Sequence, residues 1–147
     1  MAAIQRQIEV NAPAEKVFGY VADIPRHVEW AGHKLQITPD AAGPVAAGST
    51  FTCVGQQMGT HHGKVTVTDL APNTRLVYES DDDTGHFRHF FLLTEEGGAT
   101  KVIKGVEPGP RSPLFKIMLP LLKATVIPRG LEGDLKRIKA KLEQGAG

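Results

Sequence analysis

The chain has 147 residues, 17 basic and 16 acidic side chains and a formal net charge of +1. That near-balance argues against a nucleic-acid partner held by bulk electrostatics. A lone cysteine, Cys53, excludes an intrachain disulfide and fits a reducing compartment. The length is that of one domain, residues 1–147, with enough chain to build a core.

In chain order, the first segment alternates. Ile4, Ile8 and Val10 share one parity while Gln5, Gln7 and Glu9 share the other, which predicts a half-buried strand over Ala3–Val10. Its early polar residues leave no signal-peptide apolar core. Asn11 is placed to cap a following helix, Pro13 suits a first turn, and Val17, Phe18 and Val21 make its apolar stripe. Asp23 with Pro25 restarts the pattern for a second short helix ending near Trp30.

Thr38-Pro39-Asp40 and Ala42-Gly43-Pro44 break the chain. Strand-like runs then cover Thr50–Gln56, Lys64–Leu70, Arg75–Ser80, Phe87–Thr94 and Thr100–Val106. The separators are turn-forming: Met58-Gly59-Thr60, Ala71-Pro72-Asn73, Asp81–Gly85 and Glu95–Gly98. Such short separators predict hairpins and an antiparallel meander, since no crossover helix lies between the runs.

The Pro-rich connector at 107–113 leads into a helical tail, with Ser112 a cap and Pro113 at its first position. Pro120 and Pro128 predict a bend or break at one or both. The apolar run Leu114–Ile127 is interrupted by Lys116, Pro120 and Lys123 and falls short of the roughly 20 residues a membrane span needs, which predicts a buried helix instead. Lys136, Arg137, Lys139 and Lys141 read as a solvated helix face. A long helix arriving last has one economical place to go, the hollow of the curved antiparallel sheet built before it. The resulting expectation is an α+β protein, soluble and cytoplasmic, monomeric or homodimeric.

No metal or cofactor is expected. His61 and His62 are adjacent, so on a strand they point to opposite faces, and His86 and His89 also differ in parity. No ligand spacing suited to zinc and no phosphate-cradling loop occurs.

Strand parity supplies the candidate site. Phe87, His89, Phe91 and Leu93 share one face, Leu76, Tyr78 and Ser80 another, and Phe51 pairs in parity with Cys53. Aromatic walls with a few hydrogen-bonding groups are the usual lining of a small-ligand pocket, here on the order of 300–1,000 Å³. His89 and Tyr78 are the candidate catalytic groups. Trp30, Phe51, Cys53, Phe87 and Phe91 are the candidate ligand contacts, with Met118 and Leu121 on the helix opposite. The competing reading makes His89 a satisfied core histidine, Tyr78 a wall anchor and Trp30 core. Arg88 and Lys104 read most simply as solvent-facing, although either could pair an acidic ligand.

The stretches "IEVNAPAEKVFGYVADIPRHVEWAG", "GPVAAGSTF", "KVTVTDLAPNTRLVYES" and "FLLTEEGGATKV" resemble the START/Bet v 1-like (SRPBCC) superfamily, in its bacterial polyketide cyclase/dehydrase branch. The resemblance covers nearly the whole chain in the correct order. It implies a helix-grip fold around a hydrophobic cavity, and no single activity, because that fold hosts several. Three functions follow from it: a carrier or sensor of a hydrophobic or polyaromatic small molecule, a cyclase/dehydrase moving protons with His89 and Tyr78, and an interaction module similar to quinone-binding or chaperone-activating relatives.

Overall fold

Alternating burial along seven strands, with one face apolar and the other polar, produces a single curved antiparallel sheet that must cover its apolar side. The computed structural model describes residues 3–56 and 59–144. The strands are β1 (Ile4–Val10), β2 (Lys34–Pro39), β3 (Thr50–Gln56), β4 (Thr60–Ala71), β5 (Arg75–Asp82), β6 (Gly85–Glu96) and β7 (Ala99–Glu107). Their order across the sheet is β1-β7-β6-β5-β4-β3-β2. Between β1 and β2 lie α1 (Ala14–Val21) and a 3-10 helix (Ile24–Glu29); α2 (Pro113–Ala124) and α3 (Val126–Glu143) end the chain. This is the expected helix-grip arrangement.

The meander from β3 to β7 follows the turn residues that the sequence advertises. Asn73 takes a left-handed φ of 64° in the β4–β5 turn, and Gly97 and Gly98 take 62° and 84° in the β6–β7 turn. Met58 of the expected β3–β4 separator lies outside the described residues, and Thr60 already belongs to β4. Gly105 answers a packing need on the outer face. A Cβ there would fall 2.1 Å from the Phe90 ring, so only glycine lets that cross-strand aromatic lie flat over β7.

Several expectations change. Lys34–Pro39 is a strand that was not foreseen: Leu35 and Ile37 do alternate with polar neighbours, but the run is short and ends on Pro39. Asn11 does not cap α1. The Ala14 N–H there is instead held by the Glu95 carboxylate of β6 at 2.7 Å, a long-range cap that no local motif encodes. Ser112 does cap α2, accepting the Phe115 N–H at 3.1 Å.

The helical tail breaks into two helices close to one of its two prolines, as expected. The break falls at Thr125 (φ −129°, ψ −74°), three residues before Pro128. Pro128 has no N–H to give the preceding turn, so the chain restarts and places it in the first turn of α3, where no donor is missed. Pro120 stays inside α2. α3 carries the buried stripe Leu131, Leu135, Ile138 and Leu142 and packs on β1 and β7. α2 buries only Leu119 and packs chiefly against α3, so Leu121 and Met118 are exposed rather than set into the sheet. A core-truncation cost at Leu121 therefore does not apply.

The basic stretch of α3 is only partly a solvated face. Lys139 Nζ donates to the Glu9 carbonyl at 2.7 Å, and Arg137 Nε donates to the Trp30 carbonyl at 2.6 Å, so two of the four cations pin α3 to its neighbours.

Candidate functional site

Antiparallel register stacks the inward side chains in rows across the sheet. One row runs Phe51, Val65, Ser80, Phe87; the next runs Val67, Tyr78, His89, Val106; the third contains Leu76, Phe91 and Lys104. The third row is closed, with Leu76, Phe91 and Lys104 buried. Toward the first row the face opens: Ser80, Phe87 and, beyond the row, Cys53 are half-buried. α2 roofs that end, the Phe115 ring meeting Phe87 edge-on at 6.2 Å.

Beneath this opening sits a cluster of buried and half-buried polar groups. The imidazole of His89 stacks on Tyr78, centroids 4.8 Å apart and planes 12° from parallel. Its Nε2 lies 3.1 Å from Ser80 Oγ, while its Nδ1 is buried with no hydrogen-bond partner among the described residues. The 3-10 helix supplies the floor by its three-residue spacing, which turns Ile24, His27 and Trp30 inward. His27 Nε2–H donates to the Val21 carbonyl at 2.7 Å, and its ring lies 4.5 Å from Trp30 and 5.4 Å from Tyr78. Trp30 meets Phe91 edge-on at 5.9 Å, and its Nε1–H is likewise buried without a partner among the described residues.

Lys104 corrects the sequence reading. It is 4% exposed, its Nζ 3.5 Å from Asp134 Oδ2 on α3 and poised over the rings of Trp30 at 5.4 Å and Phe91 at 5.6 Å. Asp134 Oδ1 also accepts from Arg137 at 2.8 Å. Parity held the signal, because Val102, Lys104 and Val106 alternate with the outer residues of β7. Arg88, by contrast, is on the outer face and pairs with Glu107 at 3.0 Å.

Burial sets the protonation states. It pushes His27 down to about 3 and His89 well below the ordinary imidazole value, the Lys104 charge adding to both. The same burial raises the Tyr78 phenol, helped by the Asp134 carboxylate. It lowers the Lys104 ammonium against the opposing pull of Asp134. At neutral pH the site thus holds two neutral imidazoles and a protonated phenol. An uncharged imidazole can take or give a proton without first losing one to solvent.

The structure brings His89, Tyr78, Phe91 and Trp30 together, with Phe51 and Phe87 in the adjoining row and Cys53 beyond it. Met118 and Leu121 stay outside. Sequence reasoning missed His27, Lys104 and Asp134. The two grooves that stand out on the surface lie elsewhere. One of about 620 Å³ runs along the outer sheet face past Thr66, Thr68, Glu79 and His86, and one of about 370 Å³ lies beside α1. No group of histidine, cysteine or acidic side chains suited to a metal ion occurs among the described residues.

A curved antiparallel sheet gripping a C-terminal helix over a row of aromatic and polar side chains defines a helix-grip protein of the START type. Residues 1–143 match the profile of the family described as polyketide cyclase / dehydrase and lipid transport, and the chain belongs to that family. No curated protein matches the sequence significantly. Among solved structures, the chain is similar to TTHA0849 from Thermus thermophilus, with a TM-score of 0.79 and 16% identity over 99% of this chain and 100% of that one. It is also similar to the Zhui aromatase/cyclase from Streptomyces sp. R1128, with a TM-score of 0.79 and 15% identity over 99% and 96%. A START superfamily protein from Mycobacterium smegmatis gives 0.77 and 18% identity over 97% of both chains. At these identities the likeness is one of fold.

Proposed function

We propose that the protein binds a small hydrophobic ligand of polyaromatic type at the α2-roofed end of the concave face, acting as a carrier or sensor. One observation carries this reading: His89 Nδ1 is a buried polar atom without a partner among the described residues, set among aromatic rings beside the half-buried Ser80 and Phe87. Leaving such an atom unpaired costs about 1–3 kcal/mol, and a hydroxyl or carbonyl on an otherwise apolar ligand would recover it. The inner rows are filled at Phe91 and Lys104, so entry displaces α2, the helix least tied to the sheet. The family match supports small-molecule binding in general; the ligand class is drawn from this lining.

The stack of His89 on Tyr78 favours a second reading, aldol-type closure and dehydration of a poly-ketone. His89 would take one proton from the carbon between two carbonyls and return it to the alkoxide formed as that carbon attacks a ketone, giving the aldol. It would then take the second proton from the same carbon and deliver it to the departing hydroxyl, which leaves as water as the carbon–carbon double bond forms. Tyr78 would donate a hydrogen bond to the carbonyl oxygen that gains charge as the new carbon–carbon bond forms.

Titration with an anilinonaphthalene or anthraquinone probe tests the binding reading. His89→Ala is expected to weaken the probe by about five- to tenfold, the worth of one hydrogen bond, with little change in melting temperature. Unchanged affinity with a melting point lowered as in a core truncation makes His89 a core residue and ends the assignment. For the enzyme reading, His89→Gln should abolish turnover of a poly-ketone while leaving its binding intact.

A further inference from the structure

α2 presents an apolar face to solvent. Leu114, Ile117, Met118 and Leu121 are 66%, 77%, 42% and 63% exposed, and Val126 just beyond the helix is 58% exposed. Their spacing of three, four and seven residues puts the first four on one side of the helix, about 90° or more from Leu119, which holds α2 to the rest of the molecule. Single exposed apolar residues are ordinary, but a contiguous helical face of them is not.

Charge identifies what fits this face. Between Glu107 and Glu132 the chain carries Arg111, Lys116, Lys123 and Arg129 and no acidic side chain, so the remainder of a chain of formal charge +1 is net negative. Arg111 is held by Asp81 at 2.7 Å; Lys116, Lys123 and Arg129 form no ion pair among the described residues. The helix is thus aliphatic on its open side and cationic on its other flank, the pattern of a segment lying in a lipid headgroup layer. A second copy would bring two cationic segments together, whereas an anionic bilayer neutralises them. The exposed face is also all leucine, isoleucine, methionine and valine, without the tryptophan, tyrosine or arginine anchors that dominate protein interfaces.

The attachment of α2 suits the same role. It is bounded by the Pro-rich connector pinned through Arg111 on one side and by the break at Thr125 on the other, and it is the roof of the candidate site. We infer that α2 is an interfacial helix that docks the protein on anionic lipid surfaces through Leu114, Ile117, Met118 and Leu121, with Lys116 and Lys123 reaching the phosphates. Docking draws away the helix that covers the hollow and lets an apolar ligand pass between bilayer and protein.

Flotation of the full chain with vesicles tests it, comparing pure phosphatidylcholine with a mixture containing phosphatidylglycerol. The wild-type chain binds the anionic vesicles, and raising the salt releases it. Ile117→Asp and Leu121→Asp each lower partitioning at least about tenfold, and Lys116→Glu with Lys123→Glu lowers it by a similar factor; Ile117→Asp and Leu121→Asp leave the melting temperature unmoved, because those two side chains are in solvent. Absence of binding to the anionic vesicles, or binding indifferent to these variants, overturns the inference. So does a dimer that Ile117→Asp converts to monomer, or a soluble acidic protein that binds this face while vesicles do not. Probe titrations on the same variants keep the two claims apart. Vesicle binding without probe binding removes the ligand reading alone, and the converse removes this one.

Discussion

Asp134→Ala is expected to destabilise the protein by about 3–5 kcal/mol, the cost of breaking a buried ion pair from one side. The carboxylate is the counter-ion of Lys104 and also accepts from Arg137, which in turn holds the Trp30 carbonyl. Without it the ammonium is buried between Trp30 and Phe91 with only their ring faces for company. Lys104→Met should cost much less, because a flexible thioether of similar length fills the site and Asp134 keeps Arg137. The double variant Lys104→Met/Asp134→Ala should recover most of the loss, since no unpaired charge remains. Chemical denaturation of the four proteins checks this. Additive losses would mean that Lys104 is not held by Asp134 in solution.

A steep loss of stability between pH 6 and pH 4 is the second large expected effect, and its sign follows from the imidazoles of His27, which is buried, and His89, which is half-buried with its Nδ1 out of solvent. Both have folded values below the ordinary one, His27 at about 3 and His89 well below. Above about pH 6.5 both states are neutral at these positions and the full stability is present. As the pH falls, the unfolded chain binds two protons that the folded one refuses, so stability drops by about 1.4 kcal/mol per pH unit for each histidine. His86 works the other way. Its ring N–H groups donate to the Asp81 and Glu79 carboxylates, which raises its value, so its contribution grows on acidification, but it is exposed and solvent-screened. The exposed carboxylates Asp40 and Asp81, held down to about 2, lose their contribution only at lower pH. Urea unfolding at successive pH values measures the slope. His89→Phe should roughly halve it; an unchanged slope would show that His89 titrates freely.

Much of the architecture is legible in the sequence because it rests on local signals. Strand alternation, turn glycines and the Ser112-Pro113 start of α2 each act within a few residues. What escaped was long-range or quantitative. Glu95 capping α1 joins residues far apart in the chain, and the exposure of Leu121 depends on α2 leaning away from the sheet. The restart before Pro128, rather than a kink at Pro120, depends on which proline tertiary packing favours. Within the site, parity placed Tyr78, His89 and Phe91 on one face, because that alternation is a property of the strand itself. Lys104 was passed over on the ordinary expectation that lysine faces water, although Val102 and Val106 flanked it at the buried parity. His27 was hidden because a 3-10 helix turns every third residue inward. Asp134 was hidden because its meaning comes only from Lys104.

Emission from Trp30 measures the central claim most directly. It is the chain's one tryptophan, and it is buried under the concave face against Phe91, His27 and Lys104. Titration with a hydroxylated polyaromatic probe should quench it saturably with one probe per chain, and His89→Ala should shift the same curve to higher probe concentration. Saturable probe binding that leaves Trp30 emission untouched would place the ligand elsewhere, such as the outer groove along Thr66 and Thr68, and would contradict a binding site on the concave face.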